Sequence, residues 1–272
     1  MLRRQFLATS FLAAQSAPRP NILWISCEDS SPFGFSCYGD PLAHTPNIDA
    51  VAKQGVRYTH CYSVAGVCAP TRSGIITGMY PASIGSHFMR CQIQRPAHVK
   101  CFTEYLRDAG YYTSNAVKTD YNFAVPKAAW DGLSRDAHWR NRPAGKPFFA
   151  VFNNEITHES RIRLNGAEHR KLTPNVPAER RVDPAKVPVP GYWPDTPAVR
   201  EQIVNFYECV TQFDHDAGKI LQQLKDDGLA DNTIVFIWSD HGIGLPRSKR
   251  WNYESGAHAP LIVYIPPKFR AN

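Results

Sequence analysis

Several kinds of segment are missing from this 272-residue chain. Beyond the N-terminus no apolar run reaches the length of about 20 residues that a membrane-spanning helix needs, so we expect no membrane association. The seven cysteines form no CxxC pair, which excludes a zinc ribbon and a thioredoxin-type motif. No long run of Lys or Arg occurs, so the formal net charge of +7 indicates a mild preference for anionic partners rather than nucleic acid. An ordinary solvated surface explains the same charge equally well.

The N-terminal residues 1–17 have the pattern of an export signal. An arginine pair at 3–4 precedes a short apolar stretch at 6–14, and small residues follow at 16–17. The arginine pair resembles that of a twin-arginine leader. A frayed cytoplasmic N-terminus is the alternative. We expect export to the periplasm or the medium, with residues 18–272 forming the mature domain.

Apolar runs alternate with helical patterns along the rest of the chain. Buried or half-buried strands are predicted at 20–27, 57–63, 111–117, 148–152, 233–239 and 261–265. Helices are predicted at 45–55, with Thr45 as N-cap, and at 102–109 and 199–224. The Pro- and Arg-rich segment 161–197 predicts a surface excursion without regular structure. This order predicts an α/β fold with a mostly parallel, doubly wound sheet, helices on both faces and ligands at the C-terminal strand ends.

Potential metal ligands follow two of the predicted strands. Glu28 and Asp29 come directly after the first strand, and Asp240 and His241 come directly after TIVFIWS. Because such strand ends meet at one edge of a sheet, these side chains can share a divalent cation. Either pair alone is more often a turn or a helix cap. Their joint appearance with a third segment favours a site.

That third segment, CAPTRSGIITG, begins at Cys68. A lone cysteine is usually an inert buried thiol. Here, however, the segment resembles the maturation motif of the sulfatase family, CxPxR followed by Thr-Gly, at Cys68, Pro70, Arg72, Thr77 and Gly78. The resemblance continues through PNILWISCED, TPNID, SDHG and YESGAHAPLI, and it is nearest to the heparan N-sulfatase-like branch. It implies an alkaline phosphatase/sulfatase-like fold whose usual C-terminal subdomain is missing, so that 18–272 is an incomplete catalytic domain.

The resemblance also implies a reaction. Members hydrolyse sulfate esters or sulfamates, often on sulfated saccharides, with a formylglycine that a maturation enzyme makes from the motif cysteine, here Cys68. The hydrated aldehyde attacks sulfur with one oxygen and releases sulfate by losing the proton of the other. One divalent cation is implied, Ca²⁺ first and Mg²⁺ or Mn²⁺ as alternatives, with the ligands Glu28, Asp29, Cys68, Asp240 and His241. Glu28 replaces the usual Asp and His241 replaces a frequent Asn, which leaves the choice of ion open.

Further residues match family positions with assigned roles. Arg72 would hold the formylglycine, Lys118 and Lys249 would bind sulfate, and His158 would protonate the leaving group. Arg250 could substitute for Lys249, and His87 could line the substrate pocket or serve only the structure. Where the family usually has a histidine two residues after the lysine at 118, this chain has Asp120.

Two other functions stay open. Phosphonate and phosphodiester hydrolases of the same superfamily share CxPxR and often carry Asp-His at the second metal position. A non-catalytic metal- or glycan-binding protein, in which Cys68 remains a thiol, would need no maturation enzyme.

Overall fold

The structure is a computed structural model that describes residues 19–270. The expected export signal at 1–17 lies outside the described residues. The strands are β1 (Asn21–Cys27), β2 (Val56–Tyr58), β3 (Tyr112–Ala116), β4 (Gly132–Leu133), β5 (Phe148–Asn154), β6 (Thr233–Ser239) and β7 (Leu261–Tyr264). The α-helices are α1 (Pro46–Gln54), α2 (Cys68–Thr77), α3 (Pro81–Ile84), α4 (Phe102–Asp108), α5 (Glu159–Ile162), α6 (Gly166–Leu172), α7 (Pro197–Asp226) and α8 (Glu254–Ala257).

The strands form one mixed sheet in the order β2-β7-β6-β1-β5-β3-β4. β6, β1, β5, β3 and β4 run parallel, and β7 pairs antiparallel with both β6 and β2. The prediction of a mostly parallel sheet is therefore confirmed. Because β5, β1 and β6 are adjacent, their C-terminal ends lie side by side at one edge.

Helices cover both faces of the sheet, as predicted. On one face, Leu23 and Ile25 of β1 pack in a core with Phe206 and Phe213 of α7, which together with α1 covers this side. On the other face, Phe149 and Val151 of β5 lie in a second core with Ile76 of α2, and Phe102 of α4 packs against it. β1 and β5 contribute to both cores because successive side chains of a strand point to opposite faces.

Two local predictions need correction. The segment 161–197 is not devoid of regular structure, because it contains α6 and two 3-10 turns, Ala178–Arg180 and Pro184–Lys186. Thr45 precedes α1 as predicted, but its hydroxyl does not cap the helix and donates instead to Asp49 Oδ1 at 2.9 Å. The free amides of α1 are satisfied by Asp214 of α7, whose Oδ1 accepts from the Ile48 N–H at 2.8 Å. Tertiary packing thus replaces the local cap that the sequence suggested.

No helix within residues 19–270 combines the length and apolarity that crossing a bilayer requires.

Candidate active site

Four parallel strands deliver polar side chains to the same edge of the sheet. Glu28 and Asp29 follow β1, Asp240 and His241 follow β6, Asn153 lies near the end of β5, and Lys118 follows β3. In the sheet register Ser26 stands beside Asn153 and Cys27 beside Ser239, so the polar residues after β1 and β6 begin level with one another. The predicted metal ligands are brought together here, completely buried.

Helix α2 points its N-terminus at this edge. Cys68 is its first residue and is buried, with Sγ 3.3 Å from His241 Nε2 and 3.8 Å from Asp29 Oδ1. Amides in the first turn of a helix lack intrahelical partners and favour an anion nearby. Cys68 and Arg72 are four residues apart, so both project from the same face of α2.

Arg72 connects the two acidic pairs. Its Nη2 donates to Glu28 Oε1 and its Nε donates to Asp240 Oδ2, both at 3.1 Å, and Nη1 donates to Asn153 Oδ1 at 2.9 Å. The rigid guanidinium fork therefore fixes the ends of three adjacent strands relative to one another. Since Arg72 is 4% exposed, these charged contacts are shielded from water.

Two lysines reach the same acidic cluster from either side. Lys118 Nζ lies 2.7 Å from a Glu28 carboxylate oxygen, and Lys249 Nζ lies 2.7 Å from Asp29 Oδ2. Lys249 is 4% exposed, and the side chain of Lys118 is 14% exposed. Three carboxylates thus face three permanent cations around the Cys68 thiol.

The cluster shifts the pKa values of its members. Burial raises the pKa of Glu28 to about 7, although Arg72 opposes the shift. Burial works in the same direction on Asp29, but the hydrogen bond from His241 and the charges around it hold the pKa of Asp29 well below its usual range. Burial raises the pKa of the Cys68 thiol. Burial alone would lower the pKa of His241, but Asp240 and Asp29 hold it well above its ordinary value.

The donor set fits a divalent cation. Two groups of possible ligand atoms, each within 4.8 Å of one another, occur in the described residues: one atom each from Glu28, Asp29, Cys68 and His158, and one each from Cys68, Asp240 and His241. The His241 Nδ1 lies 2.9 Å from the Gly242 carbonyl and can donate to it, which leaves the Nε2 lone pair for a metal. The His241 Nε2 lies 3.1 Å from Asp29 Oδ1.

On the outer side of Asp29 lies a group built around Glu159. The Glu159 carboxylate accepts from Arg250 Nη1 at 2.9 Å and lies 3.4 Å from Lys249 Nζ, and its backbone N–H donates to Asp29 Oδ2 at 2.7 Å. Lys249 Nζ lies 3.2 Å from His158 Nε2. Hydrogen bonds from Arg250 lower the pKa of Glu159 to about 2, while burial lowers the pKa of His158.

Three members of the site were missed by the sequence prediction. Asn153 accepts from Arg72, Thr157 Oγ1 donates to the Glu28 carbonyl at 2.5 Å, and Glu159 orders Lys249 and Arg250. A signal was present for Asn153, because it lies near the end of a buried apolar strand, close to where Glu28 and Asp240 follow theirs. Thr157 and Glu159 flank the predicted His158, but nothing in their spacing indicates contact with β1.

Two singled-out residues are placed less centrally. The exposed His87 ring lies against Phe88, with ring centroids 4.2 Å apart, and no hydrogen bond in the described part of the chain joins it to the other site residues. Asp120, in the place of a frequent family histidine, has a backbone φ of 52° and an oxygen 4.0 Å from Arg90 Nε.

Comparison with known proteins agrees with this arrangement. Residues 20–131 and 133–272 match the profile of the sulfatase family. The chain belongs to the sulfatase family. The resemblance based on the Cys68 motif is thereby confirmed, and so is membership of a fold class shared with alkaline phosphatase-like enzymes.

Curated sulfatases align with most of this chain. It is 39% identical over 298 residues to an ulvan-active sulfatase of Formosa agariphila, covering 93% of this chain and 48% of that one. It is 25% identical to the human N-sulphoglucosamine sulphohydrolase, covering 91% and 56%. The chain thus spans about half the length of the curated relatives it matches.

Two solved structures have the same fold at low identity. A structure in complex with its substrate D-glucosamine-2-N,6-O-disulfate superposes with a TM-score of 0.68 at 20% identity, covering 91% of this chain and 71% of that one. The phosphonate monoester hydrolase of Agrobacterium radiobacter superposes with a TM-score of 0.66 at 16% identity, covering 91% and 68%. At these identities the superpositions support the fold of this chain and nothing finer.

Proposed function

We propose that this chain carries the catalytic centre of an enzyme that hydrolyses sulfate esters or sulfamates on a sulfated saccharide. The observation that carries the proposal is the position of Cys68: it starts α2, lies 3.3 Å from His241 Nε2, and is surrounded by Asp29, Asp240 and the cations Arg72 and Lys249. A thiol kept only for packing needs no such charged neighbours. The relatives named for ulvan and N-sulphoglucosamine support a saccharide as substrate.

Formylglycine at position 68 would supply the nucleophile, and a divalent cation, Ca²⁺ first, would lower the pKa of that nucleophile and neutralise charge. Glu28, Asp29, Asp240 and His241 would hold the cation. Arg72 would hold the acidic residues and residue 68 in fixed positions relative to one another, because it already bridges Glu28 and Asp240. The first-turn amides of α2 would face the sulfate anion.

The remaining residues would handle the substrate. Lys118 and Lys249 would bind sulfate oxygens, and Arg250, 56% exposed at its side chain, would extend the positive surface outward. His158 would give a proton to the leaving group. Burial lowers its pKa, so its protonation would depend on the sulfate anion beside it, which raises the pKa of an imidazole.

Export would bring the enzyme to a saccharide outside the cytoplasm. The export pattern of residues 1–17 supports this placement.

Intact-mass analysis of the peptide that contains Cys68, purified from the native host, is the first test. Formylglycine is lighter than cysteine by the mass of one sulfur and two hydrogens less one oxygen. Cys91→Ser is the matched control, because it changes a half-buried cysteine outside the motif and should leave the mass shift of the Cys68 peptide as in wild type. An unshifted Cys68 peptide would favour the non-catalytic binding function.

Parallel turnover of an aryl sulfate and a phosphonate diester is the second test. We expect faster cleavage of the sulfate ester, with both activities abolished by Cys68→Ala. Faster cleavage of the phosphonate would replace sulfatase activity by phosphonate hydrolysis at the same site.

A further inference from the structure

Two asparagine side chains meet beneath the candidate active site. Asn115 lies on β3, and Asn153 lies near the end of the neighbouring strand β5. Asn115 stands beside Val151 in the register, so both asparagines point to the same face as Val151, the face that α2 covers. Asn153 Nδ2 donates to Asn115 Oδ1 at 2.7 Å, and Asn115 is 1% exposed. We call these two side chains the asparagine pair.

The partners of the asparagine pair fix the orientation of its amides. Arg72 Nη1 donates to Asn153 Oδ1 at 2.9 Å, and Ser26 Oγ donates to the same oxygen at 2.8 Å. A guanidinium nitrogen can only donate, so the oxygen of Asn153 faces Arg72 and its nitrogen faces Asn115. The Asn115 oxygen accepts that bond, which leaves the Asn115 nitrogen for the segment that follows β3. The pair therefore connects α2 to this segment by hydrogen bonds of one direction.

The segment after β3 is anchored by the asparagine pair. Asn115 Nδ2 donates to the Lys118 carbonyl at 3.0 Å and to the Tyr121 hydroxyl at 3.3 Å, and Asn153 Nδ2 lies 3.4 Å from the same carbonyl. Residues 118–121 belong to no helix or strand, and within residues 19–270 no backbone–backbone hydrogen bond of a turn or loop involves them. The position of this segment therefore depends on side-chain contacts such as these.

The anchored backbone carries the Lys118 ammonium into the acidic cluster. Lys118 Nζ lies 2.7 Å from a Glu28 carboxylate oxygen and 3.9 Å from Glu155, whose side chain is 55% exposed. An ammonium group has three N–H donors, so a donor remains for a sulfate oxygen. Because a lysine side chain is flexible, the place where its backbone is held decides where the ammonium can reach.

We propose that Asn115 and Asn153 are positioning residues, which hold the Lys118 ammonium in a fixed position relative to Arg72 so that it meets the sulfate group. The proposal rests on the proposed function, because it takes Lys118 to bind sulfate. Within residues 19–270 Asn115 makes no hydrogen bond to a charged group, so its effect on sulfate must pass through its neighbours. A misplacement of about 1 Å at a reacting group can cost about 100-fold in rate.

Sulfate binding, steady-state kinetics and hydrogen exchange test this positioning on the enzyme matured in its native host and loaded with calcium. The variants are Asn115→Leu, Asn153→Leu, Lys118→Met, and Asn115→Leu combined with Lys118→Met. Leucine branches at the same carbon as asparagine but makes no hydrogen bond. Asn21→Leu is the matched control, because Asn21 is 4% exposed, accepts from the Phe148 N–H at 3.2 Å and begins β1 at the opposite end from the site.

Asn115→Leu should weaken binding of inorganic sulfate, measured by calorimetry, roughly tenfold, because a charge-assisted contact loses its geometry. It should raise KM for an aryl sulfate by a similar factor and keep kcat within about threefold, since Arg72 still holds the groups around residue 68. Asn153→Leu should lower kcat as well, because it removes a partner of Arg72. Asn21→Leu should match wild type in sulfate affinity, KM and kcat.

A double-mutant cycle shows whether the effect passes through Lys118. In the Lys118→Met background, Asn115→Leu should change sulfate affinity by less than about twofold, because both changes act on one contact. An equal loss of affinity with and without Lys118 overturns the proposal.

Hydrogen exchange reports on the anchoring without any need for catalysis. Amides of residues 118–121, measured relative to those of β1, should exchange at least about tenfold faster in Asn115→Leu than in wild type, and not in Asn21→Leu. If Asn115→Leu does not fold, Asn115→Thr takes its place, since threonine suits a strand and keeps an oxygen for Asn153 but is too short for the Lys118 carbonyl.

The outcomes keep the two proposals apart. Unchanged exchange at 118–121, or sulfate affinity equal to wild type in Asn115→Leu, overturns the positioning role while sulfate ester cleavage by wild type stands. A wild type that neither binds sulfate nor cleaves the ester refutes the proposed function, and faster exchange confined to 118–121 then still supports the anchoring of Lys118.

Discussion

Replacing Arg72 by Met should destabilise the protein strongly, because it removes one charged partner from a buried network. Arg72 contacts Glu28 and Asp240 at 3.1 Å each, and the side chains are 5%, 0% and 0% exposed. Leaving buried carboxylates without their partner costs about 3–5 kcal/mol. A domain of this size loses about 2–4 °C of melting temperature per kcal/mol, so we expect Tm to fall by about 6–20 °C.

The loss should depend on pH in a definite direction. Burial raises the pKa of Glu28 from its ordinary value of 4.5 to about 7 in the folded state, even with Arg72 in place. A carboxyl group with a raised pKa stabilises the fold below its unfolded pKa, and this stabilisation is lost as pH rises through the folded value. Without Arg72 the pKa of Glu28 rises further. The deficit of the variant should therefore be largest near about pH 8 and shrink toward about pH 5.

Urea unfolding of wild type and variant at both pH values, in a chelator, measures this difference. Arg107→Met is the matched control, since Arg107 pairs with Asp131 at 2.7 Å but the side chains are 32% and 24% exposed. That exposed pair should contribute at most about 1 kcal/mol. A deficit of Arg72→Met no larger than that of Arg107→Met, or one independent of pH, would refute the argument that buried charge compensation holds the strand ends together.

Three further changes probe the site. Cys68→Ser should keep the fold but abolish multiple turnover, because a serine ester lacks the second hydroxyl that releases sulfate; steady-state kinetics at the wild-type rate would contradict this. Hydrogen bonds from Arg250 lower the pKa of Glu159, so the Glu159 carboxylate stabilises the fold by about 1–2 kcal/mol above about pH 4.5, and this stabilisation is lost toward about pH 2. Glu159→Gln should remove this contribution. When unfolding is measured during parallel acid titrations, the wild type must lose more stability than the variant. Gly244→Ala would place a Cβ 2.9 Å from Asp29 Oδ2 and 2.7 Å from Glu159 Cβ, so calcium titration should show weaker binding, whereas Gly191→Ala, with no heavy atom within 4 Å, should match wild type.

Local pattern in the sequence was enough for most elements of the fold. β6 was predicted at its observed bounds, and α7 was predicted to within two residues at either end, because long apolar runs and a sustained helical period are strong local signals. The alternation of strands and helices then led to a mostly parallel sheet. The excursion at 161–197 was less predictable, since its helix α6 is short and draws its stability from contacts beyond its own residues.

The sequence by itself marked the residues that we propose carry the chemistry: the Cys68 motif, Glu28-Asp29 and Asp240-His241 are continuous segments whose residue types and strand-end positions single them out. Only the tertiary structure decided which side chains surround them. Asn153 joins Arg72, Glu159 orders Lys249 and Arg250, and Asp214 caps α1, each through a contact between distant segments. Such contacts depend on the order β6-β1-β5 in the sheet and on which helix lies against which face, and no local pattern encodes either.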